Sequence, residues 1–404
     1  MFHVKPPDLG PAPDGALTHL TAALEQLERD GLRRRPAEPV DAEELSFCSN
    51  DYLGLAARPA PPAPSGAGAS RLISGERAEH RRLERALASW LELDDALVFT
   101  SGYAANVGAL SALAQAGDLV VSDALNHASL IDGARLSRAR VEVVPHNDAG
   151  AVADALARRT EPRAWVAVES YYSMDADGPD LAALRAVCTE HGAGLFVDEA
   201  HALGVLGPAG RGRCAEAGVV PDVLVGTLGK AFGSQGAFVG GRAVLREWLW
   251  NRARSFVFST GLAPVSAAAG LRALTDIVEL PALRERVAEL SMRLREGLVS
   301  AGAALAPSGA GGHAEVAQST STQPRLLGFG HVVPVVLGTE ARALSVAAGL
   351  RARGIAVHAI RPPTVPAGSA RIRLTITARH TARDVDRAVD AFDQVLRAQG
   401  PADP

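Results

Sequence analysis

Leucines at 17, 20, 24 and 27 recur at helical spacing and stop at Gly31, which predicts a helix near the N-terminus. An Ala/Pro/Gly-rich loop over 56–70 leads to a second amphipathic helix, with Leu83, Ala86, Leu87, Trp90 and Leu91 on one face. From there short apolar runs alternate with helical segments. Ala96–Phe99, Leu119–Val121, Val141–Val144, Trp165–Val168, Leu195–Val197, Val223–Val225 and Ala237–Val239 read as buried strands. Such strands separated by helices predict an α/β fold with a large, mostly parallel sheet covered on both faces. Helical segments follow from about 242 to 302, then a Gly/Ser/Thr-rich loop over 308–324. Strand Val332–Val336, a helix from Glu340, strand Arg371–Thr377 and a helix opened by the Thr381/Asp384 capping pair predict a smaller C-terminal α+β domain. The expected division is an N-terminal helix and arm over 1–49, the large α/β domain over 50–276 and the small α+β domain over 277–404.

Composition narrows the function classes. A net charge of −4 on 404 residues argues against nucleic acid or an anionic membrane surface as partner. The uncharged stretch 96–115 holds Thr100, Ser101, Asn106 and Gln115, which a bilayer core would penalise, so no membrane span is expected. Cys48, Cys188 and Cys214 lie far apart without a CxxC, so neither a disulfide framework nor a zinc or other metal site is expected. With no signal-peptide layout at the N-terminus, a cytoplasmic setting is the expectation. Lysine usage is the unusual count: of 41 Lys and Arg, only Lys5 and Lys230 are lysine. A lysine kept deep in an arginine-biased chain is either a leftover surface residue or one retained for amine chemistry that a guanidinium cannot perform.

Ligand groups in parallel sheets gather beyond the carboxyl ends of the strands. Asp198 ends one apolar run and His201 follows it, while Thr227 and Lys230 follow the next. Ser170 and Ser173 follow Val168, Asn126-His127 follow Val121, and Ser101-Gly102-Tyr103 follow Phe99 and open a helix whose free N–H groups suit a phosphate. Taken singly, a strand-ending Asp is more often a cap, a lone His a structural residue, and Ser-Gly a turn. Together an acid, a histidine, a phosphate-cradling turn and one lysine are what pyridoxal 5′-phosphate requires. It needs an amine for its Schiff base, an acid to keep the pyridine nitrogen protonated and a cup for its phosphate.

The stretches Asn50-Asp51-Tyr52-Leu53-Gly54-Leu55, Thr100-Ser101-Gly102-Tyr103-Ala104-Ala105-Asn106, Asn126-His127-Ala128-Ser129-Leu130, Ser173-Met174-Asp175, Asp198-Glu199-Ala200-His201, Thr227-Leu228-Gly229-Lys230-Ala231-Phe232-Gly233 and Arg371-Ile372-Arg373-Leu374-Thr375 stand in one order. In these the chain resembles the α-oxoamine synthases, fold-type-I pyridoxal-phosphate transferases, from about Ala16 to Leu396. The resemblance implies catalytic roles for Lys230, which would bind the cofactor and move the α-proton, Asp198 at the pyridinium, His201 at the phenolic oxygen and His127 stacked on the ring. Gly102, Tyr103, Ser173 and Thr227 would complete the cofactor site. Thr260 would reach the phosphate of the neighbouring subunit, which implies a homodimer with active sites at its interface. Arg373 would bind the substrate carboxylate, with Arg33, His127 and Thr364 as further substrate contacts.

Arg361-Pro362-Pro363-Thr364 and the segment through Gly368 look most like the branch that joins L-alanine to a pimeloyl thioester, on acyl carrier protein or CoA, with loss of CO2 in biotin synthesis. Glycine C-acetyltransferase, 5-aminolevulinate synthase and serine palmitoyltransferase share the chemistry and remain alternatives, because one methyl in a pocket is worth only about 1–3 kcal/mol. The chain departs from the family pattern in a short, Pro-rich Ala57–Gly68 loop, in Leu203 and Ala176 where smaller residues are usual, and in a long Ser308–Pro324 loop. Asp198-Glu199-Ala200-His201 also spells a helicase box. A phosphate-binding GxxxxGK[ST] is missing, however, since Gly229-Lys230 is followed by Ala231 and preceded by Leu224 at the first glycine position.

Overall fold

A computed structural model describes residues 15, 17–29, 33, 44–306 and 323–399. The chain divides into two compact units, residues 1–42 and 43–404. In the first, the predicted helix is present as Thr18–Arg29, with Leu20, Leu24 and Leu27 all at least 40% exposed. Its apolar stripe is therefore uncovered by the described residues of that unit.

The second unit begins with the short strand β1 (Leu45–Ser46). Its main sheet is built from β2 (Asp95–Phe99), β3 (Leu119–Asp123), β4 (Arg140–Val144), β5 (Ala164–Glu169), β6 (Gly194–Asp198), β7 (Val223–Thr227) and β8 (Ala237–Gly241). All seven predicted strands are present, in the order β2-β8-β7-β6-β5-β3-β4. Only β8 runs against its neighbours, so the other six direct their carboxyl ends to one edge. The uncharged stretch 96–115 is β2 followed by the helix Gly102–Leu113, and no helix among the described residues is long and apolar enough to cross a membrane.

Helices start where side chains cap them. Ser101, Asp148 and Asp180 accept from the N–H groups of Ala104, Ala151 and Ala183, and Thr381 and Asp384 cap each other's backbone reciprocally. One expectation is corrected: β4 is not a buried strand. It is the sheet edge, Val143 is 65% exposed, and Arg140 and Glu142 pair with Glu161 and Arg158 along it. Charges along an open edge discourage pairing with another chain.

A second sheet has the order β13-β14-β11-β10-β9, from β9 (Ala304–Leu305), β10 (Arg325–Leu326), β11 (Val332–Gly338), β13 (His358–Ile360) and β14 (Ala370–Thr375); β12 (Ile355–Ala356) pairs with β1. Alternation along β14 puts Ile372 and Leu374 into a core shared with Tyr52, Leu203, Phe232 and Phe392, and turns Arg371 and Arg373 the other way. That shared core joins the two sheets and brings β14 to the main sheet's carboxyl edge.

The departures from the family pattern have local explanations. The 57–68 loop is held on the helix Pro264–Glu279 by the Arg58–Asp276 ion pair (2.7 Å) and by Val265 N–H donating to Pro64 O (3.1 Å). Leu203 lies over Gly226, where a Cβ would sit 2.5 Å from its Cδ1. Ala176 occupies a left-handed conformation at φ +57°, the setting that favours glycine. Most of the long 308–324 loop lies outside the described residues.

Candidate active site

At the carboxyl edge, β6 delivers Asp198 and β7 delivers Thr227 and the turn carrying Lys230. Asp198 is buried; its Oδ1 accepts from Ala200 N–H (2.8 Å) and its Oδ2 from Asn106 Nδ2 (2.6 Å). Asn106 comes from the first turns of the helix Gly102–Leu113 and also donates to Ser129 Oγ (2.9 Å). Lys230 is half-buried and makes no side-chain hydrogen bond or ion pair among the described residues. Burial and the Arg373 charge push its amine down to about 8 against the opposing pull of Asp198 and Glu169. Its titration is thereby brought close to neutral pH, which gives a nucleophile and proton carrier a usable fraction of free amine.

His201 is buried with Nδ1 2.6 Å from the Tyr52 hydroxyl, and burial followed by the Lys230 and Arg373 charges pushes its pKa well below the ordinary value. It is a neutral imidazole. His127 caps the helix Ala128–Ser137; its Nδ1 lies 2.7 Å from Ser129 Oγ and its backbone N–H donates to Glu169 Oε1 (2.6 Å). Its ring is fixed while its outer face stays exposed. Glu169 is paired in register with Asp198, and burial together with that neighbour pushes its pKa up to about 8.

The start of the Gly102–Leu113 helix abuts β7: a Cβ on Gly102 would lie 3.8 Å from Thr227 Oγ1. Ser101 caps Ala104, which leaves the Gly102 and Tyr103 N–H groups without a partner among the described residues. Free N–H groups at a helix start, beside a threonine hydroxyl, form an anion cradle. Tyr103 is half-exposed and its hydroxyl donates to Asp132.

From the second sheet, Arg373 donates from Nε to Ser173 O (2.8 Å) and from Nη2 to Asn50 Oδ1 (3.0 Å). Ser173 thus meets the arginine through its backbone carbonyl. Arg371 is spent on structure, donating to Asp175 Oδ1, Met174 O and Ser369 O. Glu199, the second residue of the helicase-like box, is likewise consumed: it accepts from Ser170 Oγ and from the N–H groups of Arg213 and Cys214.

Two expected residues of the same unit, Thr260 and Thr364, make no hydrogen bond to this cluster among the described residues. Thr260 is exposed, on a loop pinned by His80 Nε2 at 2.7 Å from Leu262 O and by Gly261 N–H donating to Ala69 O. Thr364 is exposed between β13 and β14, after the cis Pro362–Pro363 bond. Arg33 lies in the first unit, 3.4 Å from Glu28. Reading the residues had not assigned Asn106, Tyr52, Asn50 or Glu169. The first three stand inside the quoted motifs, so position within those stretches was the available signal.

An amine with depressed pKa, a buried acid held by an amide, a neutral histidine and an anion cradle on one edge fit pyridoxal phosphate in donor chemistry. Comparison with known proteins agrees. Residues 42–392 match the class I and II aminotransferases, and the fold and site define a fold-type-I pyridoxal-phosphate transferase. A serine palmitoyltransferase from S. paucimobilis, solved with bound PLP and myriocin, superposes with a TM-score of 0.83 at 27% identity over 96% of this chain and 99% of its own. An 8-amino-7-oxononanoate synthase of Anaeromyxobacter dehalogenans is 43% identical over 96% of this chain and 98% of its own length. One from Bordetella petrii is 45% identical over 94% and 98%. The chain belongs to the 8-amino-7-oxononanoate synthase family.

Proposed function

We propose that this chain catalyses the decarboxylative condensation of L-alanine with a pimeloyl thioester, on acyl carrier protein or CoA, to give 8-amino-7-oxononanoate, CO2 and the free thiol, a step of biotin synthesis. The observation that carries the reading is Lys230. The single lysine among the described residues is an unpaired, half-buried amine on the sheet edge, beside a buried aspartate and facing an arginine.

Pyridoxal phosphate supplies an electron sink for the negative charge that develops at the amino-acid α-carbon. Lys230 Nζ would anchor it and take the α-proton. Asp198, aligned by Asn106, would keep the pyridine nitrogen protonated, and His201, steadied by Tyr52, would serve the phenolic oxygen. His127 would pack on the ring. Gly102, Tyr103 and Thr227 would hold the phosphate together with Thr260 of a second copy, which would make the working form a homodimer. Arg373, a buried guanidinium aimed by Ser173 O and Asn50 Oδ1 and neighboured by the Tyr52 hydroxyl, binds the alanine carboxylate, a task its planar, multidentate fork of donors suits. Ser173 orients the fork, and Thr364 and Arg33 contact the acyl substrate. Three free cysteines support a reducing, cytosolic setting.

The test is a substrate matrix: purified holoenzyme with alanine, glycine or serine against pimeloyl-, acetyl-, succinyl- and palmitoyl-CoA and pimeloyl acyl carrier protein. Turnover confined to alanine with a pimeloyl donor is the expected result. Preference for glycine with acetyl- or succinyl-CoA overturns the assignment in favour of glycine C-acetyltransferase or 5-aminolevulinate synthase chemistry.

A further inference from the structure

Outside the reacting groups, the main sheet's carboxyl edge carries one more charged cluster. Asp123 ends β3, and its Oδ1 lies 2.8 Å from His146 Nδ1 while its Oδ2 accepts from Asn147 N–H (2.8 Å). On the other side of the ring, His146 Nε2 is 3.2 Å from both carboxylate oxygens of Asp177. Asn147 Nδ2 donates to the same Asp177 Oδ2 (3.1 Å). The imidazole also stands edge-on to Tyr172, ring centres 4.5 Å apart.

We propose that His146 is a positioning residue for the amino-acid site, acting as a cationic clamp between Asp123 and Asp177 that holds the 170–178 loop against the sheet. The proposal rests on the assignment of Arg373 to the amino-acid carboxylate. Both ring nitrogens lie within hydrogen-bond distance of carboxylate oxygens, to which a doubly protonated ring can donate, and the Asn147 side-chain amide stands beside Nε2 at 2.9 Å as a third neighbour. The carboxylates paired with the ring are Asp123 from β3 and Asp177 from the loop, and Glu169, a titratable group, lies beyond Tyr172, whose hydroxyl accepts its backbone N–H. Burial alone would lower the imidazole's pKa, but the two aspartates hold it up at about 10, so the clamp is closed at neutral pH.

The two ends of the clamp differ in freedom. Asp123 belongs to a strand paired on both sides, by β4 and β5, whereas Asp177 belongs to a connection. That connection is folded on itself: Tyr172 N–H donates to Asp177 O (2.8 Å) and Ala176 N–H to Tyr172 O (2.8 Å). It delivers Ser173 O to Arg373 Nε and Met174 O and Asp175 to Arg371. On the opposite side the Tyr172 hydroxyl donates to Asn126 Oδ1 (3.2 Å), next to His127. Removing the cation leaves two carboxylates face to face. The loop moves away, and Arg373 loses the carbonyl that aims it.

The test compares wild type, His146→Gln and the double variant His146→Gln with Asp177→Asn. Hydrogen–deuterium exchange of the 170–178 segment is read on the cofactor-free proteins. Amino-acid titration, followed by cofactor absorbance, is read on the loaded ones. His146→Gln should bind pyridoxal phosphate as wild type does, exchange faster across 170–178, and need about tenfold more L-alanine for half-saturation. The double variant removes the stranded loop carboxylate and leaves a neutral Gln–Asn pair that can still hydrogen-bond across the gap, so it should recover to within about threefold of wild type. If His146→Gln is insoluble, Asp177→Ala cuts the same link from the loop side and should show the same faster exchange and weaker alanine binding. Unchanged half-saturation with only a lower melting temperature, or a double variant no better than the single one, overturns the proposal. Wild type titrated with alanine, glycine and serine separates the two readings. If only glycine or serine responds, the alanine assignment fails, and the clamp is still tested with the amino acid that binds.

Discussion

Mixing the cofactor-free protein with pyridoxal phosphate from about pH 6 to about pH 10 should give a rate that climbs and then levels with an inflection near the Lys230 value. An amine at the ordinary 10.5 is about 0.03% neutral at pH 7, whereas one at about 8 is about 9% neutral. The gain in reactive amine is roughly 300-fold, and the rate should rise about tenfold between pH 7 and pH 9. The causes have signs that can be tested separately. Asp198 pulls the amine upward, so Asp198→Asn should move the inflection below 8; Arg373 pushes it downward, so Arg373→Gln should move it above 8. Stopped-flow absorbance at each pH reads the rate, with a free amine of known pKa to subtract the ionisations of pyridoxal phosphate itself. An inflection near 10 in the wild type, or two variants that shift in the same direction, would refute the electrostatic account of the site.

Arg373→Lys keeps the charge but loses the fork. It should weaken amino-acid binding by about 10- to 150-fold, the worth of a charge-assisted hydrogen bond at about 1.5–3 kcal/mol, with cofactor occupancy unchanged; spectral titration checks both. Arg371→Met strands buried Asp175 and should cost about 3–5 kcal/mol in denaturant unfolding, most of it recovered by Arg371→Met with Asp175→Leu. Ala176→Val places a β-branched side chain at φ +57° in a fully buried position and should destabilise by about 2–4 kcal/mol, whereas Ala176→Gly should stay within about 1 kcal/mol because relief of strain offsets the lost methyl and added chain entropy.

Much of the architecture could be read from local pattern because it depends on local pattern. An apolar run such as Leu195–Val197 between two helices has few folds open to it other than a covered parallel strand. Cap residues such as Asp180 mark their own helix starts. Strand order is different, and with it which strand lies at the rim. Val141 and Val143 look like core in the chain and face outward in the sheet, since nothing in a five-residue run says that its far side lacks a neighbour. The same limit applies to charge. Glu84 sits on the apolar face of its helix, and only the fold reveals Arg71, thirteen positions earlier, donating to it from a buried guanidinium.

The site divides along the same line. Groups that follow a strand end, Asp198, Lys230, His127 and Thr227, are placed by the sheet itself, so their gathering could be anticipated from the runs that precede them. Groups that tune them arrive across the fold. Asn106 reaches Asp198 over 92 positions, Tyr52 reaches His201 over 149, and Asn50 reaches Arg373 over 323. Their chemistry is ordinary until the partner is known: an amide, a phenol and an amide. The depressed Lys230 amine is thus a collective property. It depends on β14 carrying a cation to an edge where two carboxylates already stand, and no segment of the chain contains that arrangement by itself.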